Sequence, residues 1–169
     1  GSRYAGGNSK GEGLTDIGRE MVRAMDALGV VHDLSHLSQR ATDELLELAE
    51  GRVIASHSNC RALLGGEAGG GNPWWQRHIS DEVIKEVGKR GGVIGLNLCA
   101  SFIRHGLDKA KGERPTISEA IDHVERVCEL MGHRNGVGLG SDLDGGFSAE
   151  WLPAGMRTPS DLVLLTDEL

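Results

Sequence analysis

His36, His57 and Asp142 each stand at the end of a short apolar run of the sequence. Neutral imidazole is a good zinc ligand, and a carboxylate can carry a proton between reacting groups. A serine precedes each of the three residues, so the ends of the three apolar runs, which are candidate β-strands, resemble one another in composition. These residue types in equivalent positions indicate a site that uses a metal ion, a proton carrier or both.

The spacing of these residues allows them to meet in space. The carboxyl ends of parallel strands face one rim of an α/β fold, and neighbouring strands lie about 4.8 Å apart. His36 and His57 can therefore converge on one ion. A catalytic zinc site usually has three protein ligands, so two histidines and a distant aspartate are a small set. The residues alone leave open that these histidines only hydrogen-bond the backbone of their loops. His32 is assigned to a packing or hydrogen-bonding position, His123 to a loop or a helix surface, and Asp144 to a turn.

The elements that position these residues follow from apolar periodicity and capping residues. Helices are predicted from Thr15 to about Leu28, from Ser38 to Gly51, and from Ser80 to Gly91. A fourth helix begins with capping-box spacing, and a last one begins near residue 159. The apolar runs predict strands in residues 30–34, 52–56, 92–98 and 136–140.

Alternation of strands and helices predicts an α/β fold with parallel βα units and about four strands. The 169 residues suit one domain, with residues 1–13 as an N-terminal loop and residues 14–169 as the folded part. Four strands could form a small doubly wound sheet or the C-terminal half of a TIM (β/α)8 barrel. Composition does not separate these two architectures.

Composition narrows the class of protein. Hydrophobic residues are 38% and charged residues 25% of the chain, as in globular proteins. The net charge of −7 argues against a nucleic-acid partner. No apolar run approaches the roughly 20 residues of a membrane span, and the three widely spaced cysteines predict neither a disulfide framework nor a cysteine zinc site. Nothing in the sequence assigns a cellular compartment.

Six sequence runs together resemble the membrane (renal) dipeptidase family of zinc peptidases. They occur in that family's order and at similar spacing, and they cover nearly all of residues 13–165. One run alone is weak evidence, whereas six in order are specific. The runs are GLTDIGRE at 13–20, LGVVHDLSHLS at 28–38, VIASHSN at 53–59, RHISDE at 77–82, GGVIGLN at 91–97 and GLGSDLDG at 138–145.

The resemblance implies a zinc dipeptidase built on a TIM barrel, of which this chain matches the C-terminal half. It implies that His36 and His57 bind one zinc of a pair, and that Arg77 grips the terminal carboxylate of a dipeptide. It also implies that Asp142 assists proton transfer after attack by zinc-bound water. Guanidinium suits a carboxylate clamp, and a zinc-bound water is acidic near neutral pH.

The chain also departs from the family's pattern. An H-x-D pair on the first strand, a bridging glutamate and a further substrate-contacting histidine are missing from the sequence, and His78 stands where asparagine is frequent. We therefore expect a truncated and impaired dipeptidase that retains at most one zinc. The alternative is a non-catalytic half-barrel module that binds one metal or none. Either version predicts a homo-oligomer, because an open half-barrel exposes strand edges. A long Gly/Pro/Trp loop spans residues 64–77, and its tryptophans could cover the site.

Overall fold

The computed structural model of this protein describes residues 2–65 and 75–168, so most of the Gly/Pro/Trp loop, including Trp74, lies outside the described residues. Helices and short strands alternate along the chain, as the sequence predicts. Five α-helices and four strands occur in the described part. They are α1 (Asp16–Ala27), β1 (His32–Asp33), α2 (Gln39–Leu48), β2 (Val53–Ile54), α3 (Asp81–Lys89), β3 (Ile94–Leu96), α4 (Ala100–Ile103), α5 (Ile117–Met131) and β4 (Val137–Leu139).

All four strands run parallel. β1 pairs with β2, with His32 opposite Val53, and β3 pairs with β4, with Ile94 opposite Val137. Ala55 forms a parallel bridge to Ile94 and joins the two pairs. The strands therefore lie side by side in chain order, β1-β2-β3-β4. The prediction of parallel βα units is confirmed, although each strand has only two or three residues.

Helix starts agree with the predicted capping residues. The hydroxyl groups of Thr15, Ser38 and Ser80 each accept a hydrogen bond from a backbone N–H in the first turn of the following helix. Thr116 and Glu119 form the predicted capping box at the start of α5. Each cap satisfies a backbone donor that has no partner inside its helix. Local sequence therefore sets where these helices begin.

Two apolar clusters make up the core in the described part of the chain. The first lies between α1, α2, α3 and the first three strands, and the second lies between the end of β3, α5 and the C-terminal segment. Central members of the first are Val53, Val83, Ile84, Val87 and Ile94, and central members of the second are Leu98, Ile121, Leu152 and Met156.

Backbones approach very closely where β2 ends. A Cβ on Gly95 would lie 1.9 Å from the carbonyl oxygen of Ser56, and one on Gly140 would lie 2.0 Å from the same atom. Such distances exclude any side chain, so only glycine fits at these two positions. The two glycines let β3 and the end of β4 pack against the segment that carries His57.

Three features differ from the sequence predictions. The last element, Pro159–Leu165, is a 3-10 helix, and only Leu165 in it is buried. The short helix α4 lies between β3 and α5, where no helix is predicted from the sequence. His123, predicted in a loop or on a helix surface, is buried, where its Nδ1 accepts a hydrogen bond from the backbone N–H of Cys60 at 3.1 Å.

No helix in the described part of the chain combines the length and apolar character needed to cross a membrane.

Candidate active site

His36 and His57 face each other at the ends of β1 and β2. Their Nε2 atoms lie 2.9 Å apart, and their ring centroids are 4.9 Å apart with an interplanar angle of 55°. His36 has a φ of 71°, a left-handed conformation that turns the chain out of β1. The two histidines predicted to meet are therefore brought together.

A carboxylate and a hydroxyl stand behind His57. The Oγ of Ser56 lies 2.7 Å from His57 Nδ1 and donates to Oδ2 of Asp33 over 2.5 Å. The other carboxylate oxygen of Asp33 accepts the backbone N–H groups of Ser35 and Ser56, each at 3.0 Å. Burial alone would raise the pKa of Asp33, but these hydrogen bonds outweigh it and lower that pKa. Asp33 is therefore ionised near neutral pH.

The pKa values of both His36 and His57 lie below the ordinary histidine value. Burial is the largest cause for each, and the positive charge of Arg77 is the second. Nearby Asp142 and Asp33 act in the opposite direction but do not cancel these effects. Both rings are therefore neutral near pH 7, which is the state that binds a metal ion.

Arg77 is almost completely buried beside the histidines. It is 2% exposed and ends the 3-10 turn Trp75–Arg77. Its Nη1 donates to Ser58 Oγ over 3.0 Å, and its guanidinium carbon lies 5.1 Å from the ring centroid of Phe102. Nε and Nη2 have no hydrogen-bond partner within residues 2–65 and 75–168. Burial lowers the pKa of Arg77, and the charge of Asp142 opposes that shift.

Asp142 lies just after β4 in a left-handed conformation, with φ of 57°. Its Oδ2 accepts a hydrogen bond of 3.0 Å from Nδ2 of Asn97, which follows β3. Asn97 is fully buried, and its backbone is held in turn by Asn59. Asp144, interpreted from the sequence as a turn residue, also has a positive φ, of 62°.

A cavity of about 700 Å³ brings three of the four predicted residues to one surface: His36, Arg77 and Asp142. His57 reaches the same place through its contact with His36. The remaining wall is largely aromatic or basic. Its members include His78, Phe102, His105, Lys109, Phe147 and Trp151.

Four residues of this site were not singled out from the sequence: Asp33, Ser56, Asn59 and Asn97. The sequence contains a pattern that could have pointed to Ser56, because a serine precedes each candidate residue at a strand end. No sequence pattern pointed to the two asparagines, since a buried amide network depends on which loops meet in space. His78 was noted only as a departure; it is 1% exposed, and neither ring nitrogen has a hydrogen-bond partner in the described part of the chain.

The two histidines match the donor set of half a zinc site. Two nitrogens bound to a tetrahedral zinc at 2.0–2.1 Å would lie about 3.3 Å apart, so a separation of 2.9 Å requires only a small adjustment. Among the described residues, no group of three or more His, Cys, Asp or Glu side chains could hold a metal ion. The described part of the chain therefore offers two of the three protein ligands that a catalytic zinc usually has.

Comparison with known proteins gives consistent matches along the chain. The family model for membrane dipeptidases, peptidase family M19, matches residues 2–169. An uncharacterized dipeptidase of Schizosaccharomyces pombe is 35% identical over 133 residues, covering 79% of this chain and 29% of that protein. A dipeptidase of Claviceps purpurea is also 35% identical over 133 residues, covering 79% of this chain and 28% of its own length. The chain thus spans less than a third of these two relatives.

Solved structures agree with this result. A metallopeptidase of Rhodobacter sphaeroides, bound to a phosphinate mimic of the dipeptide L-Ala-D-Ala, superposes with a TM-score of 0.74 at 28% identity. The match covers 98% of this chain and 42% of that one. A probable dipeptidase of Pseudomonas aeruginosa has a TM-score of 0.78 at 19% identity, covering 98% of this chain and 53% of its own, and indicates a shared fold.

Proposed function

Because the chain belongs to the membrane dipeptidase family, peptidase family M19, we propose that it supplies half of a metal-dependent dipeptidase site. One observation carries the proposal: the facing Nε2 atoms of His36 and His57, 2.9 Å apart, lie beside a cavity lined by Arg77 and Asp142. A metal-ligand pair, a cation for a carboxylate and a proton carrier are the groups that dipeptide hydrolysis requires.

His36 and His57 would hold one zinc ion through their Nε2 atoms. Zinc, when bound there, acts as a Lewis acid that polarises a carbonyl and makes a water molecule acidic near neutral pH. Both imidazoles are neutral under those conditions, so zinc binding requires no net loss of a proton from either ring. Two ligands alone hold an ion weakly, and we expect impaired catalysis from this chain by itself.

Arg77 would bind the terminal carboxylate of the dipeptide. Its Nε and Nη2 are buried without a hydrogen-bond partner in the described residues, and a carboxylate accepts from both in a bidentate pair. Stacking over Phe102 and the bond to Ser58 hold the guanidinium plane before a ligand arrives. The ligand of the Rhodobacter metallopeptidase, a dipeptide mimic, is of the class that this arrangement suits.

Asp142 would carry the proton from the attacking water to the leaving amine. Asn97 occupies Oδ2 of this carboxylate, so Oδ1 is the oxygen available for the proton. The carboxylate faces the same cavity as Arg77 and His36, and it can therefore reach a peptide bond held between them.

The fold would be the C-terminal half of an eight-stranded barrel. Four parallel strands in unbroken chain order support this, because a doubly wound sheet reverses its strand order at a switch point. His36, His57 and Asp142 all follow the carboxyl end of a strand, which is where barrel enzymes carry their sites.

Zinc binding tests this proposal directly. We expect the chain to bind one zinc ion by isothermal titration calorimetry, and we expect His57→Ala to abolish that binding. His133→Ala removes an exposed histidine and serves as the matched control. Absence of zinc binding, or equal effects of the two substitutions, would overturn the metal assignment. Dipeptide hydrolysis by the chain at an ordinary enzyme rate would contradict the expected impairment.

The second candidate is a non-catalytic half-barrel module that self-associates. Apolar side chains near the two outer strands favour it: Val31 beside β1 is 45% exposed, and Leu139 in β4 is 53% exposed. Each outer strand has one strand neighbour within the described residues, so its other edge can pair with another chain. Sedimentation equilibrium measures this directly. A dimer that binds no zinc would support the module, and a monomer at high micromolar concentration would exclude it.

A further inference from the structure

We infer that Asp33 and Ser56 are positioning residues, which fix the ring of His57 so that its bare Nε2 faces His36. Neither residue belongs to the proposed metal or substrate contacts. The inference rests on the proposed function for its purpose, since an oriented Nε2 matters only if it binds a metal. The tautomer itself can be tested without any metal.

Counting protons along the chain of hydrogen bonds determines the tautomer. Ionised Asp33 can only accept hydrogen bonds, so Ser56 must give its one hydroxyl proton to Asp33 Oδ2 across 2.5 Å. The hydroxyl oxygen then has only lone pairs to offer His57 Nδ1 at 2.7 Å. His57 must therefore carry its proton on Nδ1, and its Nε2 has a free lone pair. In the metal-free chain, His36 Nε2–H donates to that lone pair.

Backbone contacts hold the same arrangement in place. Asp33 is the last residue of β1 and pairs with Ile54, so its carboxylate lies beside the segment that follows β2. Asp33 accepts the backbone N–H of Ser56, and Ser35 Oγ accepts that of His57 at 3.1 Å. The backbone and the ring of His57 are thus fixed by two different strand ends. A metal ligand oriented by a hydrogen-bonded partner is a recurrent arrangement in proteins.

Loss of such a partner typically weakens metal binding by about 10- to 100-fold. We expect this loss for Ser56→Ala, which removes the acceptor of Nδ1–H. Ser56→Thr keeps the hydroxyl and should retain most of the affinity. Asp33→Asn places an amide NH2 against either the two backbone N–H groups that bind Oδ1 or the Ser56 hydroxyl that binds Oδ2, so it should also weaken zinc binding. Ser118→Ala changes an exposed serine of α5 and is the matched control.

Nitrogen-15 NMR of the histidine-labelled, metal-free chain tests the tautomer, with the His57 signals assigned by their loss in His57→Ala. We expect a protonated Nδ1 in the wild type and a mixture of tautomers in Ser56→Ala. Circular dichroism establishes that the Ser56→Ala variant is folded. If it is not, Asp33→Asn, which disturbs the acceptor of the Ser56 hydroxyl, should show the mixture of tautomers instead. A wild-type His57 protonated on Nε2, or an unchanged tautomer in folded Ser56→Ala, would overturn the inference.

The zinc titration separates this inference from the proposed function. If the chain shows the expected tautomer but binds no zinc, the positioning role of Asp33 and Ser56 stands and the metal site is wrong. If the wild type and Ser56→Ala bind zinc with equal affinity, the metal site stands and the positioning role is wrong.

Discussion

Asn97 donates its side-chain amide to the carboxylate of Asp142 across 3.0 Å, and so ties the end of β3 to the end of β4. The same amide accepts the backbone N–H of Cys99 at 2.8 Å through Oδ1. Asn97 is fully buried, so water cannot replace either bond. The orientation of the proposed proton carrier thus depends on a neutral residue of the neighbouring strand.

Substitution of Asn97 by alanine should destabilise the chain by about 2–3 kcal/mol. The change removes both side-chain bonds and leaves the buried N–H of Cys99 without its acceptor, which alone costs about 1–3 kcal/mol. Urea unfolding followed by circular dichroism gives the free energy of unfolding. Asn135→Ala, at an exposed position, should change it by less than about 0.5 kcal/mol. Equal stability of the two variants would show that the amide network contributes nothing.

Replacement of Arg77 by lysine should weaken the binding of a dipeptide by about 10- to 100-fold. Lysine keeps the charge but cannot form the bidentate pair with a carboxylate, and a hydrogen bond to a charged group contributes about 1.5–3 kcal/mol. Calorimetric titration with Ala-Ala measures the affinity. A dipeptide amide, which lacks the carboxylate, should bind both proteins alike. The clamp is rejected if the acid and the amide lose affinity equally.

His78 should make the chain sensitive to acid. Burial is the main cause that lowers its pKa to about 3, and the charge of Arg77 adds to the effect. As pH falls below about 6.5, the unfolded chain takes up a proton at His78 while the folded chain does not. The free energy of unfolding is therefore unaffected by His78 above about pH 6.5, and it falls progressively as the pH is lowered to about 3.

His78→Leu should make the free energy of unfolding less dependent on pH. Between about pH 4 and 6, the variant should lose up to about 1.4 kcal/mol less per pH unit than the wild type. At pH 7 the variant should be as stable as the wild type or more so, because neither ring nitrogen has a hydrogen-bond partner in the described residues. Urea unfolding at several pH values measures both effects. His133→Leu, at an exposed site, is the control, and parallel pH profiles for His78→Leu and the wild type would contradict the prediction.

Gly95→Ala should cost about 3 kcal/mol or more. The new Cβ would lie 1.9 Å from the carbonyl oxygen of Ser56, and backbone atoms on both sides leave no room to relax. Gly138→Ala is the matched change in the neighbouring strand, where the nearest atom is a methyl group of Val93 at 3.1 Å. That variant should lose about 1 kcal/mol or less. Thermal unfolding compares the two, and similar losses would show that the close approach at Gly95 is not limiting.

Much of the local structure could be predicted from the sequence. Thr15, Ser38, Ser80 and the Thr116–Glu119 pair mark helix starts because their side chains bond the backbone within the next turn. The strand positions were correct, but their lengths were overestimated, because pairing extends only as far as two backbones stay adjacent. The last helix was assigned the wrong type, since apolar residues at short spacing suit both an α-helix and a 3-10 helix.

The sequence by itself determined the family of this chain, the alternation of helices and strands, and the candidates His36, His57, Arg77 and Asp142. These depend on residue order and on short-range bonding. Only the tertiary structure decided that His36 and His57 face each other, and that two buried nitrogens of Arg77 have no hydrogen-bond partner among residues 2–65 and 75–168. It alone revealed Asp33, Ser56 and Asn97 as their supports. Those contacts join residues of different strands, and their geometry depends on how the strands pair rather than on any local pattern.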